Sequence, residues 1–410
     1  MKKFALIPMI LAIVLLFPAC MSGARMDGAE GGATSEGSFD EQQGDIPAIR
    51  PGTLTAGEWN DNKNYDFFLR LFERGETIPE EEEDGQSRDG IFASYRDTWN
   101  MSLLHRLSVD VKSGAAACPG AKVSLFDGDT LLVSAVSDAR GRAYLYPKNV
   151  RTNAEYRLVT ENNSSKDTRT IAFDGSPVTV NLASKSPAPE AIDLCFAIDT
   201  TGSMGDELSY LKAEIDSVIE RVKDSNPNAA IRLALVFYRD EGDLYVTKKY
   251  DFSANIAAQR AKLSDESASG GGDYPEAVHA AFSDALNLTW QEDASKMLFF
   301  VLDAPPHDTQ KISSLYGTLV YRASEMGVRV VPVAASGADV LTQYLMRSAA
   351  AITNGTYIFL TDHSGVGLPH DKPVVGDFTV EYLNDCLVRV INELHTGVEV
   401  PPVSVFDKAQ

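Results

Sequence analysis

The chain is poor in cysteine, tryptophan and positive charge. Its 410 residues hold 4 Cys and 3 Trp. There is no C-x-x-C pair and no Cys/His spacing of the kind that builds a zinc site. With Cys20 set aside, Cys118, Cys195 and Cys386 are three thiols that cannot all pair within one chain. Cys195 falls in a strand that reads as buried and Cys386 in an amphipathic helix, so both are expected to be small core residues rather than a bridge. Lys and Arg number 37 against 58 Asp and Glu, a net charge of −21. That deficit argues against nucleic acid, because phosphate binding rests on Lys and Arg releasing counterions. It suits divalent cations and solubility outside the cell. No stretch beyond residue 20 is long and apolar enough to span a bilayer. The run Gly270-Gly271-Gly272 lacks the following Gly-Lys-Ser/Thr of a phosphate loop. A Ser-His-Asp ordering and a nucleophile elbow are also missing.

What is present begins with an address. Lys2 and Lys3 precede an apolar run from Phe4 to Phe17, and small Ala19 stands before Cys20. A basic start, a short apolar stretch and a small residue at the cut describe a secretory signal over residues 1–19. These are the only charges before Cys20, so the chain beyond Ala19 carries −23. The Ala19-Cys20 junction resembles the lipobox of bacterial lipoproteins, which implies that Cys20 receives the lipid and anchors the chain to a membrane. Met21 stands where some bacteria place the Asp that retains lipoproteins at the inner membrane. Outer membrane or cell surface is therefore the expected destination.

Residues 20–51 are rich in Gly, Ser, Asp and Glu and read as a solvated tether. Residues 52–105 carry Trp59, Trp99, Tyr65, Phe67, Phe68 and Phe72 and are too aromatic for a linker. Helices are expected near 61–74 and 91–103, packing on the next domain. From 106 to 184 apolar residues alternate, as in Leu107-Val109-Val111 and Val123-Leu125, between turns such as Asp127-Gly128-Asp129, which predicts a small all-β sandwich. The run from Val111 to Pro147 resembles the transthyretin-like sandwich of carboxypeptidase regulatory domains, modules that serve as spacers or binding platforms. After a Pro187/Pro189 hinge, strands and helices alternate over 190–397, which predicts a doubly wound, Rossmann-like α/β domain. Its expected strands are 192–198, 231–237, 244–252, 297–302, 328–333 and 357–360. A helix carrying Leu208, Leu211, Ile215, Val218, Ile219 and Val222 on one face follows the first strand. Further helices are expected near 275–287, 310–325, 338–352 and 379–395.

Ligands of open α/β sheets bind beyond the carboxyl ends of the strands, and three oxygen-rich loops are expected there. The first strand ends in Asp199-Thr200-Thr201-Gly202-Ser203, which sets a carboxylate and two hydroxyls at alternate positions before a helix. Gly270-Gly271-Gly272-Asp273-Tyr274-Pro275-Glu276 opens onto another helix, and Asp303-Ala304-Pro305-Pro306-His307 ends a further strand. Hard oxygens in this number suit Mg²⁺, which keeps several waters and needs few protein carboxylates. Mn²⁺ and Ca²⁺ are the alternatives.

Three such loops in this order resemble the metal-ion-dependent adhesion site of von Willebrand factor A domains, over roughly 190–397. The resemblance implies that Thr201 and Ser203 ligate directly and that Asp199 and Asp303 act through water or as charge partners. Asp273 stands nearest the place where the family usually supplies a Thr. It also implies that the open coordination position accepts a Glu or Asp from a protein or peptide partner. Arg239, Asp240 and His307 are candidate ligand contacts on the same rim. The reading is a binding protein rather than an enzyme. The alternatives are an envelope scaffold whose metal only rigidifies the loops and, behind it, a metal-assisted hydrolase with His307 as base.

Overall fold

The computed structural model describes residues 50–73, 89–96, 98–365 and 373–407. The expected signal peptide, Cys20, the tether up to residue 49 and the acidic run Glu80 to Asp84 lie outside the described residues. The described chain opens with a strand, β1 (Thr55–Trp59), and one short helix, α1 (Tyr65–Arg70). The expected helical segment at 52–105 is therefore corrected in two places. The first helix is confined to α1, and the described part of 91–103 is a set of turns closing at Asn100, whose φ of 54° is left-handed. Ring packing rather than a backbone ladder organises this stretch, with Tyr95 stacked on Tyr344 and Phe72 and Phe92 meeting it edge-on.

Eight strands then build the small β unit. One sheet holds β2 (Leu107–Ser113), β3 (Ala116–Ala117), β6 (Arg142–Leu145) and β9 (Val178–Asn181). The other holds β4 (Lys122–Asp127), β5 (Thr130–Val136), β7 (Glu155–Glu161) and β8 (Lys166–Ala172). Alternate residues of both sheets, among them Val109, Val123, Leu145 and Leu158, share one core, as a period of two requires.

The α/β region contributes β10 (Ala191–Asp199), β11 (Ala230–Tyr238), β12 (Thr247–Ser253), β13 (Ala294–Leu302), β14 (Val328–Ala334), β15 (Tyr357–Thr361) and β16 (Glu381–Tyr382). With β1 they form an eight-stranded sheet in the order β12-β11-β10-β13-β14-β15-β1-β16. The five strands from β11 to β15 in that order run parallel, while β12 and β1 are antiparallel. Only residues 239–246 separate β11 from β12, too few for a parallel crossover, so this pair closes as a hairpin.

Helices α2 (Gly205–Ser225), α3 (Ile256–Asp265) and α7 (Leu383–Thr396) cover one face. Helices α4 (Val278–Leu286), α5 (Gln310–Met326) and α6 (Val340–Ile352) cover the other. Ile192, Leu194, Phe196 and Ile198 of β10 face the first set, and Cys195 and Ala197 the second. Burial of each Ile, Leu or Phe side chain among them contributes about 1.5–3 kcal/mol. Cys195 and Cys386 are buried, free and on opposite sides of the sheet.

Ala48–Gln410 forms one unit, and its β sandwich docks at the amino ends of β14 and β15. Arg329 donates to Val136 O at 2.8 Å and Thr353 O at 2.9 Å, while Asn354 Nδ2 reaches Asp138 Oδ2 at 3.0 Å. At about 3.3 Å per residue, β14 sets these contacts about 20 Å from the sheet's carboxyl rim.

Candidate metal centre

Three loops meet at that rim because their backbones are bonded to one another. The first leaves β10 at Asp199 and turns through one 3₁₀ turn, Gly202–Met204, into α2. Its Gly202 N–H donates to Gly270 O at 3.0 Å, and Ser269 N–H donates to Thr200 O at 2.9 Å. Gly270 and Gly271 have φ of +82° and +76°, the left-handed region that glycine alone enters without strain. The glycine loop is joined in turn to the third loop, since Glu276 N–H donates to Pro305 O at 2.9 Å.

Four of the residues expected to hold metal converge. Thr201 donates from N (2.8 Å) and Oγ1 (2.6 Å) to Asp199 Oδ1, and Thr201 Oγ1 lies 3.2 Å from Ser203 Oγ. Ser203 is exposed, so the cluster opens to solvent. It stands beside Asp303, whose carboxyl is raised by burial, an effect that the Ser203 hydroxyl partly offsets. Asp199 Oδ2 and Asp303 Oδ1 are buried without a hydrogen-bond partner. Burial, then the charge of Asp303, pushes the Asp199 carboxyl up to about 7.

These residues fit a hard divalent cation. Two oxygens each about 2.1 Å from an octahedral ion stand about 3 Å apart, close to the Thr201–Ser203 spacing. Buried carboxylate oxygens with nothing to bond are costly unless a cation faces them. The neighbouring cationic side chain does not supply that charge. Arg239 is buried, donates to Ser267 O at 2.8 Å, lies 3.7 Å from Glu266 and stacks over Tyr245. The expected ligand contact at Arg239 is thereby corrected: its guanidinium is turned inward and committed to Glu266.

Asp273 joins a different group. It is exposed, and one carboxylate oxygen lies within 4.8 Å of ligand atoms of both Asp240 and His307. Asp240 Oδ1 and His307 Nε2 are 2.8 Å apart. The carboxylate of the glycine loop that turns inward is Glu276, which the sequence reading quoted but gave no role. Glu276 is 3% exposed and its Oε2 has no partner. Burial first, then Asp199, Asp240, Asp303 and Asp243, raise its carboxyl to about 9. Its inward turn follows from a long-range contact, since the loop backbone at Glu276 is pinned to Pro305.

An open, mostly parallel α/β sheet with helices on both faces and its oxygen-rich loops on the carboxyl rim defines a doubly wound α/β domain. Residues 193–364 match the family model described as von Willebrand factor A domain, so this part of the chain is such a domain. Over 125 residues the chain is 27% identical to the alpha-protein kinase vwkA of Dictyostelium discoideum, covering 30% of this chain and 20% of that one. Over 130 residues it is 32% identical to von Willebrand factor A domain-containing protein 7 of Rattus norvegicus, covering 30% and 14%. The chain thus spans a fifth or less of these relatives' lengths. A solved structure of the pilus adhesin SpaC from Lactobacillus rhamnosus GG is 12% identical, covering 61% of this chain and 34% of that chain, with a TM-score of 0.38.

Proposed function

We propose that the chain is an exported bacterial lipoprotein, anchored through Cys20 at the outer membrane or cell surface. Its von Willebrand factor A domain binds a protein or peptide through a metal-ion-dependent adhesion site. The observation that carries this reading is the pair of buried, unpartnered carboxylate oxygens on Asp199 and Asp303 beside the Thr201 and Ser203 hydroxyls. Thr201 and Ser203 would hold the ion, and Asp199 and Asp303 would act through water or as charge partners. Mg²⁺ suits this oxygen set, with Mn²⁺ or Ca²⁺ as alternatives. When bound, the ion supplies a positive charge with an open position suited to a carboxylate from the partner.

Leu244, 90% exposed beside Asp243, and Tyr274, 44% exposed, give the rim apolar contacts, the kind of surface that protein interfaces bury. The sandwich's resemblance to transthyretin-like modules and its docking away from the rim support a spacer role. The reading is binding rather than turnover.

The test is retention of a partner from an envelope extract on the immobilised chain, in Mg²⁺ and in EDTA. A partner held by wild type in Mg²⁺, and lost in EDTA and with Asp199→Asn, is the expected result. Equal retention in all three conditions would remove the metal mechanism.

A further inference from the structure

The Asp240, Asp273 and His307 group is not explained by the centre just described. Its members come from three loops: Asp240 follows β11, Asp273 lies in the glycine loop and His307 follows β13. Among the described residues, this is the set of three His, Cys, Asp or Glu side chains whose ligand atoms lie within 4.8 Å of one another.

We propose that these three side chains form a second metal site, selective for a borderline transition ion of the Zn²⁺ class, next to the oxygen-only centre. Zn²⁺ takes His nitrogen at about 2.0–2.1 Å and Asp oxygen at about 2.0–2.2 Å. Two such ligands on one ion stand about 3 Å apart, near the 2.8 Å between His307 Nε2 and Asp240 Oδ1. An imidazole ligand favours Zn²⁺ and its neighbours over Mg²⁺ or Ca²⁺, which prefer all-oxygen sets. Three protein ligands leave a position for water.

A second observation points the same way. Glu276, 3% exposed, has a buried Oε2 without a partner, and both Asp199 and Asp240 act on its carboxyl electrostatically. Asp273 is exposed and His307 half-buried, which gives an ion a path in. Asp240 is held from behind by its own N–H, which donates to Asp243 Oδ2 at 3.1 Å.

The experiment is a Co²⁺ titration of the full chain in excess Mg²⁺, which fills the first centre, read by the visible Co²⁺ absorbance and checked with Zn²⁺ as competitor. One equivalent of Co²⁺ should give a band that Zn²⁺ displaces. His307→Ala and Asp273→Asn should each weaken binding by at least about tenfold, because losing a ligand costs no less than losing a group that merely hydrogen-bonds to one. Asp273 is exposed, so its variant leaves the fold intact, and Asp199→Asn should keep the band. A wild-type chain without a Co²⁺ band, or a band that survives both His307→Ala and Asp273→Asn, overturns the site. Loss of the band with Asp199→Asn, while His307→Ala keeps it, assigns the ion to the first centre and overturns it equally. This readout needs no partner protein, so it stands apart from any failure of the adhesion reading.

Discussion

Gly202 donates its backbone N–H to the carbonyl oxygen of Gly270 at 3.0 Å, so the loop bearing Thr201 and Ser203 is held against the glycine loop. Gly270 has φ of +82°, and a Cβ added there would collide with the Asp243 carboxylate. At Gly272 a Cβ would meet nothing within 4 Å. Gly270→Ala should therefore cost at least about 1–2 kcal/mol in stability and weaken Mg²⁺ binding, whereas Gly272→Ala should do neither. Thermal melting with and without Mg²⁺ separates the two variants, and equal behaviour would refute the stitching argument.

The raised carboxyls make the metal-free chain pH-sensitive in a defined direction. Asp199 rises from 3.8 to about 7 and Glu276 from 4.5 to about 9, in both cases chiefly through burial. The folded state holds these protons more tightly than the unfolded state, so stability falls as pH rises between the two values. Metal-free stability should decline from about pH 4 through about pH 9. Mg²⁺ must displace the protons, so its affinity should climb with pH, by about tenfold per unit for each proton displaced. Urea melts in EDTA at several pH values, paired with Mg²⁺ titrations, measure both slopes.

Asp199→Asn should move stability in opposite directions in the two metal states. Removing a buried carboxylate beside Asp303 relieves burial and like-charge repulsion, so the EDTA-treated variant should melt above wild type near pH 8. Each kcal/mol gained corresponds to about 2–4 °C. The Mg²⁺-induced rise should disappear in the same variant. A variant that loses stability in EDTA would mean that the Asp199 bonds to Thr201 outweigh the buried charge.

A separate pair anchors the amino-terminal segment to α6. Arg347, fully buried, donates Nε to Asp61 Oδ2 at 2.9 Å, and Trp59 Nε1 donates to Asp61 Oδ1 at 3.0 Å. Asp61→Ala strands a buried guanidinium and should cost about 3–5 kcal/mol, most of it recovered when Arg347→Met is added. Equilibrium unfolding of the single and double variants gives the comparison.

Helices α2, α4, α5, α6 and α7 and the parallel strands were readable because each buries a periodic face along a local stretch of chain. Ile192 to Ile198 is apolar at nearly every step since helices cover both sides of β10, and α2 shows its Leu and Val at helical spacing. β1 was not readable. Thr-Ala-Gly-Glu-Trp has no period of two, and its partner strand begins with the pairing of Thr55 to Thr361, 306 residues away. Helix α3 buries mainly Gln259 and Leu263 and so carries little amphipathic signal.

The α/β order and the three oxygen-rich loops were legible along the chain, because strand ends and helix starts fix those positions locally. Long-range contacts set the rest: the meeting of the Asp199, glycine and Asp303 loops, the inward turn of Glu276 while Asp273 faces Asp240 and His307, and the pairing of Arg239 with Glu266. Which way a loop side chain points depends on bonds between distant loops, such as Gly202 to Gly270 and Glu276 to Pro305, and no pattern along the chain encodes those.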